Sequence, residues 1–234
     1  MTTKSSRCLP VCIAISVWPL GLSLCSCTQP HAAAASAARI VDFVPGVRID
    51  YRVPQVEVDS EVILRRGQLE LFAYSKAPVP KEHESILLTN VPAESIYQAL
   101  GLIGLTPGRP MWYDAGTETV HPATGDPVDV SVRYLSGGKS VEVPACAWML
   151  DLHTRQPMKP VAWVFAGSRR ASNGTFQANV EGTIVTVVDF DSAVLALPES
   201  HTSSDADLWL VANTEAIPPV GTKVILLLRP ARGP

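Results

Sequence analysis

The sequence predicts an α+β fold, a mainly antiparallel or mixed β-sheet with one principal helix packed on it, and three observations predict it. From Val47 onward apolar residues recur at period two in short runs, the spacing of half-buried strands. Twenty prolines and fifteen glycines are spread along the chain and divide it into many short elements rather than long helices. One stretch alone, Pro92 to Ile103, has convincing helical spacing, with Ile96, Leu100 and Ile103 on one face.

The chain opens on the layout expected of an export signal. Lys4 and Arg7 precede an apolar run, Cys8 to Leu24, interrupted by Pro19 and Gly21, which is the layout of a secretory signal rather than a membrane span. Leu24-Cys25-Ser26-Cys27 resembles a bacterial lipobox, with small Ser26 before Cys27 as the residue to be acylated, although Cys25 is unusual at the middle position. Cleavage after Ala35-Ser36-Ala37 is the competing site, and an uncleaved apolar anchor is a third reading. Residues 1–27 are therefore read as a signal peptide of lipoprotein type. The low-complexity run TQPHAAAASAA opens a tether over residues 28–46, and residues 47–230 form the domain. The expected address is the cell envelope, lipid-anchored or periplasmic.

Cysteine usage narrows the chemistry. Cys8, Cys12, Cys25 and Cys27 all lie in the export segment, which leaves Cys146 as the one thiol of the domain. That excludes a disulfide framework, a cysteine zinc site and an iron–sulfur ligand set. Cys146 lies in Val143-Pro144-Ala145-Cys146-Ala147-Trp148, where a buried, inert thiol is expected. Without Lys4 and Arg7 the chain has 17 basic and 22 acidic residues, a formal charge of −5. No basic stripe exists to meet a phosphate backbone, so nucleic acid is not expected as a partner. The expected partners are another envelope component or a small ligand, with no cofactor.

Taken in order, Val47, Ile49, Tyr51 and Val53 alternate with polar residues, and Val56 and Val58 continue the alternation across Pro54. Glu61 to Leu64, a turn over Arg65-Arg66-Gly67-Gln68, and Leu69 to Tyr74 predict a hairpin. The helix follows, with Pro92 at its first position, Glu94 in its positive first turn and Gly104 placed to end it in a left-handed conformation. A Pro/Gly-rich loop over Thr106 to Pro127 leads to strands Val128–Leu135 and Val141–Leu150 across the turn Ser136-Gly137-Gly138-Lys139. Here Val128, Val130, Val132 and Tyr134 face inward, opposite Asp129, Ser131 and Arg133. Strands over Val161–Ala166, Thr183–Val188, Asp191–Leu197, Leu208–Ala212 and Lys223–Leu228 complete the chain, with Trp163 expected in the core and Asn173-Gly174 at a turn.

The densest chemistry lies before the helix, in Lys81-Glu82-His83-Glu84-Ser85. If extended, His83 and Ser85 share one face and Glu82 and Glu84 the other. Nucleophilic catalysis would also need an orienting acid and an oxyanion hole, and there is no G-x-S-x-G elbow. Ser168, after Gly167, is a second hydroxyl candidate, expected to meet His83 and Ser85 in a polar cluster at a strand end. As a metal site His83 would draw on Glu84, His121, His153, Asp151 or Asp191, none at diagnostic spacing. A solvated strand start is the plainer expectation. The function expected is a non-catalytic binding or accessory domain, the alternative being an exported hydrolase or metal-dependent enzyme around His83 and Glu84.

Four pieces carry a family resemblance: His83-Glu84-Ser85 before an apolar strand, Ala99 to Gly108 at the helix end, Trp163-Val164-Phe165-Ala166-Gly167-Ser168, and Ile217-Pro218-Pro219 with Gly221-Thr222-Lys223-Val224. Together, over Val47 to Pro230, they resemble the YdjY-domain family of exported bacterial proteins. The resemblance implies a domain and brings no established activity. Some members carry a ferredoxin-like label, from which this chain departs because it lacks the cysteines that a cluster needs.

Overall fold

The computed structural model describes residues 40–202 and 204–231. Its first strands are β1 (Ile40–Val44), β2 (Val47–Asp50), β3 (Gln55–Val62), β4 (Leu71–Ser75) and β5 (Ser85–Thr89), followed by helix α1 (Ala93–Leu102). The Pro/Gly-rich loop holds four small strands, β6 (Pro107–Arg109), β7 (Trp112–Asp114), β8 (Thr119–His121) and β9 (Thr124–Gly125). Then come β10 (Pro127–Ser136), β11 (Lys139–Pro144), β12 (Met149–Asp151) and β13 (Trp163–Phe165), the one-turn helix α2 (Gln177–Glu181), β14 (Thr183–Thr186), β15 (Leu195–Ala196), β16 (Leu210–Ala212) and β17 (Lys223–Pro230). β1 falls within the segment read as a tether and pairs with β2, Ile40 opposite Asp50.

The expectation of a sheet with a helix packed on it is corrected by the pairing. β3, β17, β10, β13, β15, β14, β4 and β5 are bonded in that order, and β5 returns to β3 through Glu61 opposite Leu88 and Val62 opposite Leu87. The circuit is an eight-stranded closed barrel, extended beside β3 by β2 and β1 and beside β10 by β11. Period-two alternation is the same in an open sheet and a barrel, so local pattern could not distinguish them. Closure joins edges that would otherwise present unpaired backbone groups. Helix α1 contacts β2, β3 and β14, and its Tyr97 ring stands 5.3 Å from that of Phe165 on β13. Of these strands β3, β13 and β14 are separated around the circuit, so the helix contacts several parts of the barrel rather than one run of neighbouring strands.

The core follows from register. Val58, Leu226 and Val132 lie opposite one another across β3, β17 and β10, and Val56, Leu228 and Val130 form the next row. All six are at most 4% exposed. Burying each such side chain stabilises by about 1.5–3 kcal/mol. Ile96 and Leu100 of α1 join the same cluster.

Two local expectations change. The period-two run stops at Asp50, because the Asp50 carboxylate accepts the Arg52 backbone N–H at 2.9 Å and folds the chain into a turn. β2 then pairs back onto β3, and Tyr51 and Val53 are exposed in the turn. The hairpin expected over 61–74 is absent. β4 runs parallel to β5, Leu71 opposite Ser85. The intervening segment is instead tied to the C-terminal loop: Arg65 donates from Nε to Ile217 O at 2.9 Å and from Nη2 to Thr214 O at 2.6 Å, while Thr214 Oγ1 donates to Arg65 O at 2.7 Å. The β10–β11 hairpin forms as expected, from Ser131 opposite Pro144 to Ser136 opposite Lys139, over Gly137 and Gly138 at positive φ. The helix spans the predicted stretch, although Pro92 is its N-cap rather than its first turn, and Gly104 follows it at φ +94°.

Candidate functional site

The polar pentad does not extend as a strand. Glu82–Glu84 form a single 3-10 turn, which sends His83 outward with 75% of its side chain exposed, its Nε2 at 3.7 Å from Glu84 Oε2. Ser85 begins β5 and is fully buried, and its Oγ has no hydrogen-bond partner among the described residues. Ser168 sits at φ +60°, and its Oγ accepts the Ala178 N–H of α2 at 3.1 Å and donates to Arg169 O at 3.4 Å. His83, Ser85 and Ser168 therefore share no hydrogen bond, and the expected cluster does not assemble.

A different partner organises the pentad. Lys81 Nζ lies 2.8 Å from Glu70 Oε2 and 2.7 Å from Glu84 Oε1, and 4.7 Å from the Phe190 ring centre. Burial works against the Lys81 ammonium, yet hydrogen bonds to Glu70 and Glu84 hold its pKa above the usual value. Burial pushes the Glu70 carboxyl up against the pull of Lys81. This triad pins the crossover between β4 and β5 to the barrel wall.

The remaining candidates are dispersed as well. His121 stacks on Trp112 with ring centres 4.1 Å apart, Asp191 pairs with Arg169 at 2.6 Å, and the Asp151 and His153 segment lies in another loop. Among the described residues no three His, Cys, Asp or Glu side chains are grouped to hold a metal ion. Cys146 is buried, and burial pushes its thiol pKa up, away from the reactive thiolate. Trp163 is 1% exposed and donates its indole N–H to Thr186 O at 2.9 Å. Cys27 lies outside the described residues.

Alternation along β2, β3, β10 and β17 also builds a charged layer that sequence reading did not assemble. Glu57 accepts from Arg48 at 3.3 Å, Arg133 at 2.6 Å and Gln55 at 2.7 Å, and Arg229 grips Glu142 on β11 through its two terminal guanidinium nitrogens. Glu57 is only 5% exposed. Its partners come from three strands, and pairing with carboxylates occupies these guanidinium groups. The layer works as a lattice across the sheet rather than as a reactive site.

A cleft lies between loops 151–161 and 197–209, with a volume of about 610 Å³. Its floor is apolar, with Met158 and Leu197 each 6% exposed. One wall is aromatic: the His201 and Trp209 rings stack 4.1 Å apart at 15°. Backbone contacts fix that wall, because Trp209 Nε1 donates to Val187 O at 3.0 Å, Leu152 N donates to Trp209 O at 2.8 Å, and Asp189 N donates to His201 O at 2.7 Å. Burial lowers the His201 pKa despite Asp189 and Glu199, so the imidazole is neutral at neutral pH. An enclosed apolar floor with a few convergent polar groups is the usual make-up of a small-molecule seat. The sequence signal was faint: Pro157, Pro160 and Pro198 flank the two loops, which are some forty residues apart in the chain and meet only after folding.

Fold and cleft define a small closed-barrel domain with a loop-walled recess. A family model, the YdjY domain, matches residues 47–229, most of the chain, and the protein belongs to that family. No curated protein and no solved structure matches it.

Proposed function

We propose that this protein is an exported, lipid-anchored component of the cell envelope whose barrel binds a small ligand without transforming it, in the cleft between loops 151–161 and 197–209. The observation that carries the binding reading is the cleft itself: an apolar floor of Met158 and Leu197 beside the fixed His201–Trp209 stack. Binding without catalysis is favoured because His83 is solvated, Ser85 is buried and Ser168 serves as a helix cap, so these groups lack the mutual contacts that nucleophile and base require. Export and anchoring are supported by Lys4, Arg7, the apolar run and Ser26-Cys27 in that order.

Native mass spectrometry of the full chain extracted from bacterial membranes tests both halves. The wild type is expected to begin at an acylated Cys27 and to carry a non-covalent small-molecule adduct. Cys27→Ser removes the acyl mass, and Trp209→Ala removes the adduct. A mature wild type with neither mass would overturn the reading.

A further inference from the structure

The lining of the cleft restricts the ligand by charge as well as by shape. Its rim carries Asp151 and Glu199 against a single amine, Lys159. Asp151 Oδ1 accepts the N–H of Thr154 at 2.7 Å and of His153 at 2.9 Å. Those backbone bonds, that of Thr154 foremost, hold its carboxyl below the usual carboxylate range, so it stays ionised. Among the described residues neither rim carboxylate has an ion-pair partner. Neutral His201 adds no compensating charge. The recess thus has carboxylates beside an aromatic wall, and such surroundings attract a cation with an apolar body.

We propose that the cleft takes a small organic monocation with a flat apolar body, its ring against the His201–Trp209 wall and its ammonium at the Asp151 and Glu199 rim. This rests on the reading of the cleft as the ligand seat. A volume of about 610 Å³ suits a body of one or two rings. An anion of the same shape meets like charge at the entrance. A neutral analogue keeps the apolar contacts and forfeits the rest.

The test is a titration of the full chain at low salt with three probes of nearly equal shape: phenethylamine, 2-phenylethanol and 3-phenylpropionate, followed by calorimetry and tryptophan emission. Phenethylamine is expected to bind about fivefold tighter than 2-phenylethanol, the upper worth of one exposed ion pair at the rim. The anion should be weakest. In Asp151→Asn with Glu199→Gln the amine should fall to the level of the alcohol, whose own affinity does not change. The amide oxygen at 151 can still accept the two backbone N–H groups, so the loop keeps its turn. Equal binding of amine and alcohol, tighter binding of the anion, or no saturable binding by any probe overturns the ligand class. The seat itself fails on a different result, an envelope-derived adduct that persists in Trp209→Ala.

Discussion

Asp50 commits a carboxylate to one neighbour. Its Oδ1 accepts Arg52 N and Nε at 2.9 and 3.0 Å, and its Oδ2 accepts Arg52 Nη2 at 2.8 Å. The Arg52 side chain foremost holds the Asp50 pKa down, to about 2. A folded-state pKa below the unfolded value contributes stability that is fully present above the ordinary carboxylate pKa and is lost as pH falls towards 2. Denaturant midpoints for wild type and Asp50→Asn should therefore differ most at pH 5 and converge as the pH drops to 2.5; a gap that stays constant would mean that the turn does not depend on the charge. At this scale much could be read from sequence, because burial follows apolar identity: Trp163, Cys146 and the Val128–Val132 row lie in the core as expected. What stayed hidden was pairing. Lys81 could not be matched to Glu70, nor Glu57 to Arg133, until strands distant in the chain were placed side by side.

Elements were legible where their determinants are local. The β10–β11 hairpin carries its own turn glycines and α1 its own apolar face and closing Gly104, and both form, although the Glu94 N–H in the first turn of α1 is capped from afar by Asn179 Oδ1 at 3.0 Å. The hairpin expected over 61–74 failed because Arg65 and Thr214, 149 residues apart, bond each other's segments. Helix α2 is the intermediate case. Its N-cap residue, Phe176, has no side-chain acceptor, and the hydroxyl comes from Ser168, eight residues earlier, to the Ala178 N–H. Ser168→Ala should cost about 1 kcal/mol, the usual worth of a cap hydroxyl. Ser168→Gly should lose less, since glycine relaxes the φ of +60° at that position. Urea denaturation of the two variants checks this, and equal stability of Ser168→Ala and wild type would show that the 3.1 Å contact contributes nothing.

Over the whole molecule the decisive element is the last strand. β17 lies between β3 and β10, Leu226 facing Val58 on one side and Val132 on the other, and its Lys223 pairs with Glu61, 162 residues earlier. The barrel cannot close until this distant segment arrives, which no local pattern announces and which makes the topology slow to form. Four of its side chains, Val224, Leu226, Leu227 and Leu228, are at most 2% exposed. At about 1.5–3 kcal/mol each they contribute about 6–12 kcal/mol, which is comparable with the whole stability of a typical domain, about 5–15 kcal/mol. Removing residues 223–234 also strips β3 of its β17 partner over 56–61 and β10 over 128–133. The shortened chain is therefore expected to lose near-UV circular dichroism and to show no sigmoidal thermal transition, while intact protein unfolds in one cooperative step. A cooperative transition retained by the truncated chain would mean that the remaining strands can close without β17, and that the circuit is not the unit of stability.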